Sequence, residues 1–197
     1  ALFTAALLAW WFPAAARAAE AMPIFDAHLH YNVEAGAGFP VDSVLALWKE
    51  TGVVGVIATS RPNDGTRALN AKKQSAVRIV PFIRPYVVQP DRYTWFKDES
   101  IYALIESEFK RGIYAGIGEF HLFGKDAESA IVKRTVDFAV AHGLWLHAHS
   151  DDDAIDILFR HNPRAKIVWA HTGFTSPPDV IAKYFEHYPA LVGELSY

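Results

Sequence analysis

Short apolar runs alternate with longer amphipathic segments along this chain, and the alternation restricts the folds open to it. The apolar runs are rich in β-branched residues and end at Gly, Pro or polar residues, as strands do. Seven of them occupy positions 24–30, 53–59, 78–84, 113–119, 144–149, 166–171 and 191–197. Helix-like segments lie between them at positions 41–51, 64–76, 99–111, 127–142, 152–161 and 177–187. This order, without internal repeats, predicts a parallel α/β sheet with right-handed crossovers.

Four of the strand-like runs end in residues that can bind a metal ion. His28 and His30 alternate in the first run, so a strand would put both imidazoles on one face with Cα atoms roughly 6.6 Å apart. Glu119, His149 and His171 end three later runs. Parallel strands deliver their carboxyl ends to one edge, and neutral imidazoles are common ligands of divalent metals. The structural alternatives are a half-buried histidine pair, an ion pair of Glu119 with Lys or Arg, and a core position for His171.

Two folds fit a parallel α/β sheet, and the positions of these residues favour one of them. An open doubly wound sheet spreads its strand ends, whereas a (β/α)8 barrel brings all of them to one mouth. Candidate ligands on the first, fourth, fifth and sixth strands therefore predict the TIM-type barrel. A complete barrel takes about 250 residues, and this chain has 197. We therefore expect residues 22–197 to form an incomplete barrel that has about seven strands and lacks the eighth.

Composition narrows the classes of function. The chain is 51% hydrophobic and 14% aromatic, which supports a large core. A net charge of −3 with scattered basic residues gives no basic surface for nucleic acid. Cysteine is absent, so disulfides cannot form and a metal must be held by nitrogen and oxygen atoms. A small-molecule substrate is the expected partner, and a homo-oligomer stays open.

The first 21 residues are expected to be a signal peptide rather than part of the fold. Residues 1–12 are almost wholly apolar, Pro13 follows them, and Ala16-Arg17-Ala18 has the small-x-small pattern of a cleavage site. The basic segment that normally opens such a leader is missing. A membrane anchor is the alternative, but the run is shorter than the roughly 20 apolar residues of a spanning helix. We therefore expect a periplasmic or secreted protein with no stable membrane anchor.

Four short motifs, taken in order, resemble those of a known family. They are DAHLH at 26–30, GIGEF at 116–120, LHAHS at 146–150 and VWAHTGF at 168–174. Their order and spacing resemble the amidohydrolase superfamily of metal-dependent hydrolases, especially its amidohydrolase-related branch, with TatD-type hydrolases as more distant relatives. The resemblance runs from about Met22 to the end of the chain. It implies a (β/α)8 fold and a divalent metal, with zinc favoured and one or two ions bound.

The resemblance also assigns roles to individual residues. The implied metal ligands are His28, His30, Glu119, His149 and His171, and the last three are also the candidate catalytic residues. The family's eighth-strand aspartate binds metal and accepts a proton from the attacking water. It has no counterpart before the recorded sequence ends. The resemblance therefore leaves the activity of this 197-residue chain in doubt.

Candidate substrate-binding residues flank this predicted site: Arg84, His121 and His147. Arg84 ends the third strand-like run and could hold a carboxylate or phosphate, with a surface salt bridge as the alternative. His121 could contact substrate or simply belong to a loop. His147 shares a face with His149, which lies nearer the strand end and is the preferred ligand. The aromatic-rich segment 86–99 either covers the barrel mouth or packs onto the body of the protein.

The predicted chemistry is hydrolysis by metal-activated water. A divalent ion lowers the pKa of bound water from 15.7 to about 7 and polarises the oxygen under attack. We expect the bond cleaved to be an ester, lactone or amide bond of a small molecule. Decarboxylation and phosphoester cleavage stay open, since relatives with similar ligands carry them out. A non-catalytic barrel that binds a metal without turnover is the alternative from another class.

Overall fold

The computed structural model describes residues 22–72, 75–172 and 176–196. In these ranges seven strands form one parallel sheet, and each strand pairs with the next along the chain. The strands are β1 (Ile24–His30), β2 (Val53–Thr59), β3 (Arg78–Ile83), β4 (Gly116–Leu122), β5 (Trp145–Ser150), β6 (Ile167–Trp169) and β7 (Leu191–Gly193). This sequential order confirms the predicted incomplete (β/α)8 barrel with seven strands. The predicted signal peptide, residues 1–21, lies outside the described residues.

Helices lie between the strands, as the alternation predicts. They are α1 (Val33–Gly38), α2 (Val41–Glu50), α3 (Asp64–Asn70), α4 (Glu99–Phe109), α5 (Ala130–Ala141), α6 (Asp152–His161) and α7 (Pro178–His187). Short 3-10 helices are formed by Gln89–Tyr93, Trp95–Lys97 and Gly124–Glu128. Helix α6 has the predicted bounds. Helix α1 was not among the predicted helices, because its sequence, VEAGAG, contains two glycines and glycine disfavours helix.

Five strands differ from their predicted bounds, β3 and β5 by no more than one residue at either end and β4, β6 and β7 by more. Strand β4 begins and ends three residues later than predicted, so that Glu119 lies inside it. Strands β6 and β7 have only three residues each. A turn at residues 170–172 follows β6, and His171 within it has a positive φ of 54°. The candidate ligands therefore occupy strand ends and the turns that follow, which is the mouth of the barrel.

A bulge in β4 decides where Glu119 points. The pairing of β4 with β5 shifts register between Gly118 and Phe120, so Glu119 is an extra residue opposite β5. Gly118 has a φ of 130°, and a Cβ at this position would lie 2.2 Å from the His147 carbonyl oxygen. A larger residue fits neither the backbone angle nor the space. Glycine at 118 is thus required for the local backbone that presents Glu119.

The core has two parts. The larger lies between strands β3 to β7 and helices α4 to α6, and it contains Trp95, Phe120 and Trp169. The smaller packs β1 and β2 against α2 around Trp48 and Val56. Because Trp95 belongs to the larger part, segment 86–99 is packed onto the body of the protein. Among the described residues, none of the helices combines the length and apolar character that a bilayer span requires.

Candidate metal centre

The two histidines of β1 place their Nε2 atoms 3.0 Å apart. Their other ring nitrogens are held from outside: His28 Nδ1 donates to Glu194 Oε1 (2.7 Å), and His30 Nδ1 lies 2.6 Å from Thr59 Oγ1. The Thr59 hydroxyl donates to the Leu29 carbonyl (3.2 Å), so its oxygen can accept from His30 Nδ1. When both Nδ1 atoms are protonated in this way, both Nε2 lone pairs are available to a shared metal ion.

Glu119 lies at the centre of the site and is only 2% exposed. Its Oε1 accepts from His149 Nδ1 (2.8 Å), and its Oε2 lies 3.0 Å from His30 Nε2. The Nε2 atoms of His28 and His171 are each 3.6 Å from Glu119 Oε1. Burial raises the pKa of Glu119, but hydrogen bonds from the surrounding histidines outweigh burial and hold this pKa far below its usual range. The carboxylate is therefore ionised.

Arg84 forms a buried ion pair with this carboxylate. The arginine is 4% exposed, and its Nη2 donates to Glu119 Oε2 (3.1 Å). Its Nη1 lies 2.6 Å from His30 Nδ1 and can donate to it when that nitrogen carries no proton. Burial lowers the pKa of Arg84, and the charge of Glu119 opposes that shift. The structure thus shows a buried ion pair between Arg84 Nη2 and Glu119 Oε2 in place of the surface salt bridge that the sequence left open.

Glu194 is a site residue that the sequence analysis missed. It follows β7 directly and is buried, and its Oε1 accepts both from His28 Nδ1 and from the backbone N–H of His171 (2.8 Å). Its Oε2 accepts from the Ser196 backbone N–H (2.7 Å). Burial raises the pKa of Glu194, but the neighbouring imidazoles of His147 and His28 outweigh burial and hold this pKa well below its usual range. The sequence signal was present, since LVGE ends an apolar run in a carboxylate, as IYAGIGE does.

His147 lies beneath the site rather than in it. The residue is completely buried, its ring centre is 4.8 Å from that of His28, and its Nε2 is 3.7 Å from Glu194 Oε1. Within the described residues neither ring nitrogen has a hydrogen-bond partner at normal distance. Burial lowers the pKa of His147, so this imidazole is neutral at physiological pH. Its ring packs against the ring of His28.

His121 and His149 form one wall of the site. Their rings are stacked with centres 4.3 Å apart. Tyr86 fixes His121 from the neighbouring loop, since its hydroxyl accepts from the His121 backbone N–H (2.6 Å) and lies 3.2 Å from His121 Nδ1. Burial lowers the pKa of His121 to about 4. His121 thus belongs to strand β4 and not to a loop. Its ring is neutral and is held in place by Tyr86.

These side chains line a cavity of about 380 Å³. Its lining residues are His28, His30, Arg84, Arg92, Glu119, His121, His149, His171 and Ser196. All five predicted metal ligands are therefore brought together at one cavity. Of the predicted substrate-binding residues, Arg84 and His121 line it and His147 does not. The cavity is also lined by Arg92, from segment 86–99, and by Ser196, neither of which was among the predicted site residues.

The donor set fits a divalent cation. Three groups have their ligand atoms within 4.8 Å of one another: His28, His30 and Glu119; His28, His171 and Glu194; and Glu119, His121 and His149. Each group offers imidazole nitrogen and carboxylate oxygen, which zinc and similar ions accept.

The ionisation of the two β1 histidines also supports a cation site at their ring nitrogens. Burial lowers the pKa of His28, but the adjacent carboxylates of Glu119 and Glu194 outweigh burial and raise this pKa to about 9. Burial lowers the pKa of His30 to about 4, while Glu119 opposes the shift and Arg84 adds to it. Without metal, His28 thus carries a proton at neutral pH, and a cation bound there would displace it.

Comparison with known proteins supports the fold. No protein-family model matches the sequence, and no curated protein matches it either. The structure is similar to that of Amidohydrolase 2 from Bifidobacterium longum subsp. infantis, with a TM-score of 0.51 and 15% sequence identity. The match covers 89% of this chain and 74% of that one. At this identity the similarity shows a shared fold, which confirms the resemblance found in the sequence at the level of the fold.

Proposed function

We propose that this protein is a metal-dependent hydrolase of the amidohydrolase superfamily that cleaves an ester, lactone or amide bond of a small molecule. The observation that carries the proposal is the convergence of His28 Nε2, His30 Nε2 and Glu119 at the mouth of the incomplete (β/α)8 barrel. Active sites of such barrels lie at this face. The similarity to a solved amidohydrolase supports the same conclusion.

The residues that would hold the metal are His28, His30 and Glu119, with His171 completing the set, while His149, the fifth predicted ligand, is assigned to proton transfer. When bound, such a cation makes water a stronger nucleophile at neutral pH and polarises the carbonyl oxygen under attack. Glu194 and Thr59 hold the Nδ1 sides of the β1 histidines and so keep their Nε2 atoms directed at this position.

Proton transfer falls to the residues on the cavity wall. The His149 side chain is about one-third exposed, and its Nδ1 donates to Glu119 Oε1. This bond leaves His149 Nε2 free to take a proton from water and return it to the leaving group. The His171 side chain is also partly exposed; its Nε2 lies 3.6 Å from the same Glu119 Oε1, and its ring centre is 4.6 Å from that of His149.

The test measures metal and turnover separately. The full chain and its His28→Ala and His30→Ala variants are loaded with zinc, dialysed and assayed for zinc by elemental mass spectrometry. His187→Ala is the matched control, because His187 is an exposed histidine outside the cavity. We expect stoichiometric zinc in the parent and the control and its loss from the two β1 variants; retained zinc in those variants would refute the site.

Turnover then decides between the functions left open by the sequence. A panel of esters, lactones and amides is offered to the zinc-loaded chain. Hydrolysis that disappears in the β1 variants supports the proposal. Release of carbon dioxide or phosphate from control substrates instead would favour a decarboxylase or phosphoesterase. Bound zinc without any turnover would favour a non-catalytic metal-binding protein.

A further inference from the structure

Arg92 is a cationic residue of the cavity that the proposed chemistry does not use. It lies in the 3-10 helix Gln89–Tyr93 and lines the same cavity as the candidate ligands. The cavity therefore contains two guanidinium groups with different surroundings.

Arg84 is committed to the site, whereas Arg92 has no acidic partner among the described residues. The contacts of the Arg92 guanidinium are with Tyr93: Nη2 donates to the phenol oxygen, and the guanidinium carbon lies 4.5 Å from the ring centre. Its Nε, like that of Arg84, is buried and has no hydrogen-bond acceptor in the described part of the chain. The nearest acid in sequence, Asp91, is occupied, because its Oδ2 accepts from two backbone N–H groups of the same turn.

The segment that carries Arg92 is fixed in place. Asp91 closes its turn by accepting from the N–H groups of Val87 (2.6 Å) and Val88 (2.9 Å). Trp95, completely buried, donates from Nε1 to the His121 carbonyl (2.8 Å) and so ties the segment to β4. Arg92 is thus held next to the candidate metal centre by a rigid support, which is what a binding residue needs.

We propose that Arg92 binds a carboxylate group of the substrate at a position apart from the bond that is cleaved. A guanidinium matches the planar carboxylate with two parallel hydrogen bonds, and an acceptor at the buried Nε would satisfy a donor that otherwise lacks one. The charges of Glu119 and Glu194 are already matched by Arg84 and His28, so Arg92 is left to balance one negative charge, which suits a monoanion better than a doubly charged phosphate. This assignment rests on the proposed function for the identity of the ligand as a substrate, but the binding step can be tested without turnover.

The binding test uses benzoate and its neutral analogue benzamide as probes. Their affinities for the chelator-treated full chain are measured by titration calorimetry or ligand-observed NMR. We expect the parent to prefer benzoate, and we expect Arg92→Gln to weaken benzoate binding about tenfold or more while leaving benzamide unchanged. Equal benzoate affinity in the parent and Arg92→Gln, or no preference for benzoate in the parent, would overturn the proposal.

Arg134→Gln is the matched control. Arg134 also stacks on a tyrosine, with its guanidinium carbon 4.0 Å from the Tyr102 ring centre, but it pairs with Glu99 at the surface away from the cavity. We expect this variant to bind benzoate as the parent does. Thermal unfolding of both variants checks that neither change acts through the fold; a loss of benzoate binding shared by Arg134→Gln would overturn the assignment to Arg92.

A kinetic arm separates this proposal from the proposed function. The zinc-loaded chain is offered 4-acetoxybenzoate and 4-acetoxybenzamide, and the ratio of their kcat/KM values is compared between the parent and Arg92→Gln. We expect the preference for the anionic ester to fall about tenfold or more in the variant. If neither ester is cleaved while Arg92→Gln still loses benzoate, the hydrolase proposal fails and the binding site stands. Cleavage with an unchanged ratio overturns the role of Arg92 alone.

Discussion

Replacing Glu119 by glutamine tests the centre of the site most directly. Glu119 is 2% exposed, and its ionised carboxylate faces the buried guanidinium of Arg84 and at least two imidazoles. Glutamine keeps the shape and one oxygen but removes the charge. The buried Arg84 then loses its carboxylate and retains at most a neutral acceptor.

The structure sets the expected size of the effect. Breaking a buried ion pair by removing one partner costs about 3–5 kcal/mol, and the amide oxygen can still accept from Arg84. We therefore expect Glu119→Gln to lower the free energy of unfolding of the metal-free protein by about 3 kcal/mol, the low end of that range. Zinc affinity should fall by about 100-fold or more, since even residues that only support a ligand cost 10–100-fold.

Glu108 provides a matched control elsewhere in the fold. It is also a buried glutamate, paired with Arg67 (2.8 Å) and Arg111 (3.1 Å), but it does not line the cavity. Both of its arginine partners reach solvent, so we expect Glu108→Gln to cost only about 1 kcal/mol of stability and to leave zinc affinity unchanged.

Two measurements test the expected effects of Glu119→Gln and Glu108→Gln. Urea unfolding of the chelator-treated proteins gives stability, and competition with a chromophoric chelator gives zinc affinity. If Glu119→Gln unfolds at the parent's urea concentration and binds zinc equally well, the central role assigned to this carboxylate is wrong. A parallel loss of zinc in Glu108→Gln would show that the effect comes from general destabilisation.

Three further predictions concern the support of the site. Gly118→Ala should destabilise the fold by about 3 kcal/mol in urea unfolding, because its Cβ would meet the His147 carbonyl oxygen at 2.2 Å and φ is 130°. The control Gly38→Ala, with open space at its Cβ, should change stability by less than about 1 kcal/mol. Equal effects of the two substitutions would contradict the bulge argument. Glu194→Gln should weaken zinc binding about 10–100-fold in the chelator competition assay, and an unchanged affinity would show that His28 needs no orienting partner. The pKa of His28 in the folded metal-free protein is about 9, above its ordinary 6.5, so its stabilising contribution is full below pH 6.5 and is lost as pH rises through 9. Urea unfolding between pH 7 and pH 10 should show a loss of up to about 3 kcal/mol in the free energy of unfolding, and His28→Gln should lack this loss. Equal pH profiles for the parent and the variant would refute the raised pKa of His28.

The sequence predicted the fold class and the five candidate ligands because both leave local signals. Apolar runs and their ionisable ends can be read within seven residues, and a parallel barrel turns shared strand ends into spatial proximity. Glu194 was missed because the run 191–197 was interpreted as one strand, whereas β7 ends at Gly193 and places Glu194 at the mouth. The same strand-end rule, applied at the true end of β7, would have found it.

The pairings around Glu119 could not have been predicted from local pattern. The bulge at Glu119 exists only relative to the register of β5, a partner strand about thirty residues away. The burial of Arg84 likewise depends on where Glu119 points, since Glu119 Oε2 provides the buried guanidinium with its partner of opposite charge. The long-range pairing of β4 with β5 therefore determines that Arg84 is paired with an acid inside the site, whereas Arg92 keeps no acidic partner among the described residues.

Charge balance connects the metal centre to the proposed carboxylate site. Without metal, the negative charges of Glu119 and Glu194 are matched by Arg84 and the protonated His28. A divalent ion that displaces the His28 proton leaves one additional positive charge at the cavity floor, so an anion at Arg92 should bind more tightly to the zinc-loaded chain. Linkage requires that benzoate raise zinc affinity by the same factor. Chelator competition with and without benzoate measures this factor. Equal zinc affinities in the two conditions would contradict the coupling. A coupling fully retained in Arg92→Gln would place the benzoate on the metal instead of on the arginine.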